Sequence, residues 1–184
     1  MEQLIMNWTL APNRASYPVK LPEGFTFRKF LDNDEDIEAW LDIVQYGLTE
    51  GRGDRDTFRI LMLEHANYDP DGVFFILKEG KPCATMSVFC DTETLDGYLH
   101  MVCAAPSARG YGIGTALARL AVNELIARGM KTARLTTDDF RLPAIRTYLN
   151  AGFVPQLSGS EDFPERWDNV LRKLQEASVQ KQGR

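Results

Sequence analysis

The stretch Arg109-Gly110-Tyr111-Gly112-Ile113-Gly114 follows an apolar run, Leu99 to Ala105, and leads directly into a long amphipathic segment. That order predicts a strand, a tight glycine turn and a helix. Glycines at alternate positions let the backbone come close to a ligand and take positive φ where the turn needs it. The N–H groups of the helix's first turn have no partner inside the helix, so they point into the gap that the glycines leave. With the positive end of the helix dipole they form an anion site, suited above all to a phosphate or pyrophosphate. Arg109 at the lip adds a fixed positive charge.

Spacing separates this turn from other phosphate cradles. A dinucleotide fingerprint requires Gly-x-Gly-x-x-Gly, but counting from Gly110 puts Thr115 where the third glycine belongs, and counting from Gly112 puts Leu117 there. A P-loop requires Gly-Lys-Ser/Thr after four intervening residues, and this stretch holds no lysine. What remains is Arg-x-x-Gly-x-Gly, preceded by Ala105-Pro106 and followed by Ala116-Leu117.

Upstream, Leu4-Ile5-Met6-Asn7-Trp8 and Pro12, Pro18 and Pro22 predict an N-terminal arm with one edge strand. Phe25 to Phe30 alternates with period two, as a half-buried strand does. Asp32 to Asp36 offers N-cap chemistry for a helix carrying Ile37, Trp40, Leu41, Val44 and Leu48 on one face. Gly51-Arg52-Gly53-Asp54 breaks that helix, as a flexible substrate loop or as a plain polar connection, and Thr57 to His65 predicts a second helix with Phe58, Leu61 and Met62 inward. Val73 to Leu77, the turn Lys78-Glu79-Gly80-Lys81 and Pro82 to Cys90 predict a hairpin. A turn over Thr92 to Gly97 returns the chain into Tyr98 to Ala105, completing an antiparallel meander.

Downstream, Ile113, Leu117, Leu120, Ala121 and Leu125 recur at helical spacing, and Gly129 supplies the stop. Ala133, Leu135 and Thr137 alternate as a strand, which a helical crossover places parallel to the meander's last strand. Asp138 to Leu142 reads as a loop, Pro143 opens a short helix with Ala144, Ile145, Tyr148 and Leu149 on its apolar face, and Gly152 caps it. Pro164 to Ala177 predicts a last helix with Trp167, Val170, Leu171 and Leu174 on one side, and Gln180 to Arg184 reads as a frayed tail.

Composition bounds the function. The chain has 184 residues and a net charge of −5, a one-domain length and a balance opposite to the basic excess of nucleic-acid binders. That acidity suits a cationic substrate. No apolar run reaches the roughly 18 residues of a membrane span, and the opening Met1-Glu2-Gln3 lacks a basic leader; the expected setting is cytoplasmic, without nucleic-acid or membrane partners. Cys83, Cys90 and Cys103 are odd in number and lack Cys-x-x-Cys spacing, which disfavours disulfides and zinc. His65 and His100 fall in different kinds of segment, so no metal site is expected.

Two motifs in order carry a family resemblance. The glycine hexapeptide is similar to the acetyl-CoA pyrophosphate loop of the GNAT N-acetyltransferase superfamily. Ala144-Ile145-Arg146-Thr147-Tyr148 followed by Ala151-Gly152-Phe153 resembles the superfamily's second signature. The resemblance covers about residues 25–155, leaving 1–24 as an N-terminal arm and 156–184 as a C-terminal helical segment packed on the same domain. It implies an α/β (α+β) fold: a mixed, mostly antiparallel central sheet flanked by helices, with a V-shaped splay between two central parallel strands. The C-terminal helix departs from the family, whose members usually end in a further strand pair.

The resemblance further implies acetyl transfer from acetyl-CoA to an amine of a small molecule or a protein by direct attack, with acetyl-CoA as co-substrate. The pantetheine arm would pair with the backbone of Val102, Cys103 and Ala104, and an N–H of that strand would polarise the thioester carbonyl. The pyrophosphate would rest on the loop Arg109, Gly110, Tyr111, Gly112, Ile113, Gly114 and into Thr115, and Tyr148 would assist departure of the thiolate. Leu142 stands where the family often has asparagine, which leaves hydrogen bonding to the coenzyme arm to Asp138 or Asp139. Asp91, Glu93, His100 and a water chain are the candidates for removing the amine's proton. A different class of function, a GNAT-fold module that binds acyl-CoA without transferring it, stands beside the enzyme, and a second copy of the chain, as a homodimer, is a candidate partner.

Overall fold

The structure, a computed structural model, describes residues 2–182. Its strands are β1 (Leu4–Thr9), β2 (Phe25–Lys29), β3 (Val73–Lys78), β4 (Lys81–Asp91), β5 (Asp96–Ala104), β6 (Thr132–Thr137) and β7 (Val154–Pro155). Its helices are α1 (Asp34–Val44), α2 (Arg55–Phe58), α3 (Ile113–Ala127), α4 (Leu142–Asn150) and α5 (Phe163–Gln182). The strands form one sheet in the order β2-β3-β4-β5-β6-β1-β7. Every strand pair is antiparallel except β5 with β6.

Local chemistry accounts for the connections. Glu79 and Gly80 take φ of +51° and +81° between β3 and β4, the double left-handed geometry of a two-residue hairpin turn. The Asn33 side chain accepts the Asp36 N–H at 2.9 Å and caps α1, while Pro143 sits in the first turn of α4. Gly97 is required by close approach rather than by conformation. A Cβ there would lie 2.2 Å from Leu125 Cδ2, so its absence lets α3 settle on the sheet where β5 meets β6.

The centre of the sheet is buried on both faces, which explains why Val73 to Leu77 reads as a continuous apolar run rather than an alternating one. Phe74, Ile76, Ala84, Met86 and Val88 face a core shared with α3, α4 and α5, including Leu117, Ile145 and Trp167. Val73, Phe75 and Phe89 face a second core with Trp40, Leu41 and Phe58 of α1 and α2. On that side the Arg28 guanidinium holds Asp36 with contacts of 2.6 and 2.7 Å, and the Leu31 N–H adds a third at 2.8 Å. Burial opposes the Asp36 charge, yet these donors outweigh it and hold the carboxyl below its ordinary range.

Three segments differ from the sequence reading. The N-terminal segment contributes an interior strand, since β1 lies between β6 and β7 with Leu4, Met6 and Trp8 at 0–1% exposure. The second helix is one α-helical turn, α2, running into a π-helical turn at Arg59–Leu63. The last helix continues through Gln182 rather than fraying from Gln180; Gly183 and Arg184 lie outside the described residues.

Trp8→Ala removes a fully buried side chain of β1 and should cost about 3–5 kcal/mol in urea unfolding. Arg28→Ala should cost roughly 3 kcal/mol at pH 7 by leaving Asp36 buried without its counter-charge. Because the folded-state pKa of Asp36 is depressed, its contribution is complete above the unfolded value of about 3.9 and is lost as pH falls through the folded one. Acid titration of the urea midpoint should therefore be shallower in Asp36→Asn than in the wild type.

Candidate active site

β5 and β6 pair only at Asp96 with Thr132, Gly97 with Ala133 and Tyr98 with Arg134. Beyond Tyr98 the two strands diverge. The other edge of β5 is irregular at the same level: Cys103 pairs with Thr85 and His100 with Ser87, so Met101 and Val102 together oppose Met86 alone. Met101 takes φ of +49° in this bulge, a conformation that costs an L-residue about 1–2 kcal/mol. The bulge re-aims the backbone of Val102 to Ala104 at the opening.

Two cavities meet there. The larger, about 570 Å³, is walled by Val102, Cys103 and Ala104 of β5, by Arg109 and Gly114 of the glycine turn, by Tyr46 to Leu48 after α1, and by Phe140, Arg141, Ala144 and Tyr148. The smaller, about 240 Å³, lies in the cleft between β5 and β6 and is walled by Leu61, Tyr98, His100, Thr136 and Thr137. Leu48, Val102, Arg141, Ala144 and Tyr148 border both. Tyr148 is therefore part of the wall that the two cavities share.

The glycine turn is open on its outer side. Gly110 and Gly112 take φ of +82° and +75°, and a Cβ on either would meet nothing within 4 Å. Protein packing thus leaves the space above the turn clear, and Gly112, as N-cap of α3, offers no side-chain acceptor to its N–H groups. Arg109, Gly110, Gly112 and Gly114 are exposed and Thr115 is half-buried. The Ile113 side chain is in the core at 1% exposure, so only its backbone faces the turn. Tyr111 turns outward onto Phe25 and Lys78, whose Nζ lies 4.4 Å from its ring centroid. Lys78 brings a second cation to the loop that the motif did not identify.

The titratable side chains lean toward their neutral forms. Burial raises the Tyr148 hydroxyl far above the ordinary tyrosine range. Burial likewise pushes the Cys103 thiol up to about 11, and its Sγ donates to the Ile43 carbonyl at 3.2 Å. His100 is lowered by burial, against the opposing pull of its hydrogen bond to Leu61. Arg141 is the charged residue on both walls, tied to Asp138 at 2.7 Å.

Other candidates have structural tasks. Asp91 accepts the N–H groups of Glu93 and Thr94 at the end of β4 remote from the bulge. Asp138 pairs with Arg141 and Asp139 with Arg166 of α5, so both carboxylates near Leu142 are engaged. In Gly51-Arg52-Gly53-Asp54, Arg52 is anchored to Glu38 and Asp42 and Asp54 caps α2, which makes this stretch a connection. The histidines, separated in sequence, are brought together with ring centroids 5.8 Å apart. Among the described residues no group of three or more His, Cys, Asp or Glu is placed to hold a metal ion, and no helix is long and apolar enough to cross a membrane.

Comparisons with known proteins agree with this architecture. The model of the acetyltransferase (GNAT) family matches residues 35–153. A mycothiol acetyltransferase of Thermomonospora curvata is 28% identical over 145 residues, covering 74% of this chain and 46% of that protein. One from Streptomyces bingchenggensis is 28% identical over 138 residues, covering 73% and 44%. The chain thus spans about half the length of these curated relatives. Among solved structures, a GCN5-related N-acetyltransferase from Sphaerobacter thermophilus superposes with a TM-score of 0.69 at 20% identity, over 85% of this chain and 50% of that one. The ribosomal-protein-S18-alanine N-acetyltransferase of Escherichia coli gives 0.57 at 22% identity, over 71% and 77%. With the family model spanning both the glycine turn and the Tyr148 helix, the chain belongs to the acetyltransferase (GNAT) family.

Proposed function

We propose that this chain is an acetyl-CoA-dependent N-acetyltransferase acting in the cytoplasm on an amine of a small molecule or a protein. The observation that carries the reading is the pair of cavities meeting at Tyr148, one bordered by the open glycine turn and the other opening into the strand cleft. The larger cavity fits a coenzyme arm: its walls are mostly apolar, its strand edge offers backbone groups, and its mouth carries Arg109 and the open glycine turn. In this assignment the N–H groups of Gly110 to Thr115 and Arg109 hold the diphosphate, and the backbone of Val102, Cys103 and Ala104 orients the pantetheine. Acetyl-CoA bound there supplies an activated thioester.

The smaller cavity then receives the acceptor. Cys103 keeps its thiol protonated at neutral pH, because its pKa of about 11 leaves little thiolate, which favours direct attack by the amine over an acyl-cysteine. Tyr148 also keeps its proton, so it serves as a hydrogen-bond donor toward the leaving sulfur rather than as a group that ionises. A hydrogen bond to a developing charge contributes about 1.5–3 kcal/mol. The strand β1 and the helix α5 support the walls around Thr136 and Asp139, so both elements act as one unit with the core.

Following thiol release from acetyl-CoA across a panel of amines tests the assignment. Release with at least one amine supports transfer, and coenzyme binding without release from any acceptor overturns it. Gly112→Val forces a β-branched residue into left-handed backbone and should weaken coenzyme A binding about tenfold or more in calorimetry. Tyr148→Phe should lower kcat about 10–100-fold while the KM for acetyl-CoA stays within about twofold.

A further inference from the structure

The π-helical turn Arg59–Leu63 leaves a backbone carbonyl without a helical partner. Its exit bonds run from the Glu64 N–H to the Arg59 carbonyl at 3.0 Å and from the His65 N–H to the Met62 carbonyl at 3.1 Å. The Leu61 carbonyl is instead engaged by His100 Nε2 at 2.8 Å. A carbonyl oxygen only accepts, so Nε2 carries the proton and donates. In the neutral ring the lone pair then belongs to Nδ1. The turn and β5 thus fix both the orientation and the tautomer of an imidazole in the wall of the smaller cavity.

Among the described side chains lining that cavity, the His100 imidazole is the one suited to take up a proton near neutral pH. An alkylammonium has a pKa near about 10.4 and cannot attack until it loses a proton. No carboxylate lines the small cavity among the described residues, and its fixed charge is the Arg141 guanidinium, which is paired with Asp138. Tyr148, raised by burial, enters as a neutral phenol whose ordinary role is to donate. Around His100 itself stand His65, with its ring 5.8 Å away, and Tyr98, with its ring at 5.2 Å. Arg134 of β6 lies over the Tyr98 ring at 5.8 Å. Burial first and then His65 lower the His100 pKa, against the pull of its bond to the Leu61 carbonyl, so the imidazole is uncharged at neutral pH and has a lone pair to accept a proton.

We propose that His100 removes the proton from the acceptor ammonium at Nδ1, an inference that rests on the acyl-transfer reading. An N–H bond of the ammonium breaks, its electron pair stays on the amine nitrogen, and the proton forms an Nδ1–H bond. The imidazolium returns that proton to solvent before the next turnover.

His100→Gln retains an amide N–H toward the Leu61 carbonyl and lacks a basic nitrogen. With an alkylamine at pH 7 it should lose about 100-fold in kcat/KM, while the KM for acetyl-CoA holds within about twofold. With an arylamine, which is already unprotonated at pH 7 and can attack before any proton is removed, the loss should shrink to a few-fold. Equal losses with both amines, or no loss with either, would overturn the proposal. A second measurement needs no turnover: nitrogen-15 spectra of the wild-type imidazole should show the neutral Nε2–H form at pH 7 with a protonation midpoint below about 6.5. The Nδ1–H tautomer, or an imidazolium at pH 7, would overturn the role of His100 and leave acyl transfer standing. A wild-type protein that releases no coenzyme A thiol with any amine would overturn acyl transfer itself.

Discussion

Backbone hydrogen bonding between β5 and β6, and its early end, governs this molecule. A parallel pair that continued beyond Tyr98 would satisfy its own N–H and C=O groups and close the sheet. Because pairing stops after three residues, the backbone of Val102 to Ala104 needs other partners, and the gap becomes a cleft with walls from several elements. The bulge at Met101 on the opposite edge of β5 reinforces the divergence. Gly97 fixes where it begins, since α3 packs directly on the last paired residues.

Much of this was legible in the sequence because it is local. The glycine turn, the Glu79-Gly80 hairpin, the period-two pattern of β6 and the short helix opened by Pro143 each depend on residues a few positions apart. What the sequence concealed depends on partners far away in the chain. Leu4, Met6 and Trp8 look the same whether they form an edge strand or an interior one, and only pairing with β6 and β7 decides it. Arg52 sits between glycines like a mobile loop residue until Glu38 and Asp42 are brought beneath it. His65 and His100 have no shared spacing, and their contact is created by the π-helical turn packing across β5. That turn leaves no signal in the sequence, because Phe58, Leu61 and Met62 recur at i, i+3 and i+4 as they would in an ordinary α-helix.

Electrostatics distinguishes the cleft from the rest of the surface. Elsewhere, acidic side chains are paired with arginines, as in Arg28 with Asp36 and Arg166 with Asp139, and the charges are kept. Inside the cleft, a tyrosine, a cysteine and a histidine all lie in surroundings that favour the uncharged form. Low polarity strengthens each hydrogen bond made there, and the guanidinium of Arg141 is the fixed charge that borders both cavities.

The threading of β1 has a bearing on biogenesis. Leu4 emerges from the ribosome long before Thr137, with which it pairs, so the strand carrying Trp8 waits unpaired while nearly the whole remaining sheet is synthesised. Contacts of such long range are slow to form, and an apolar strand held in waiting is a surface that chaperones recognise. Pairing of β1 with β6 and β7 thus ties distant parts of the chain together, so the wall of the cleft at Thr136 depends on a contact that cannot form until β6 has been made.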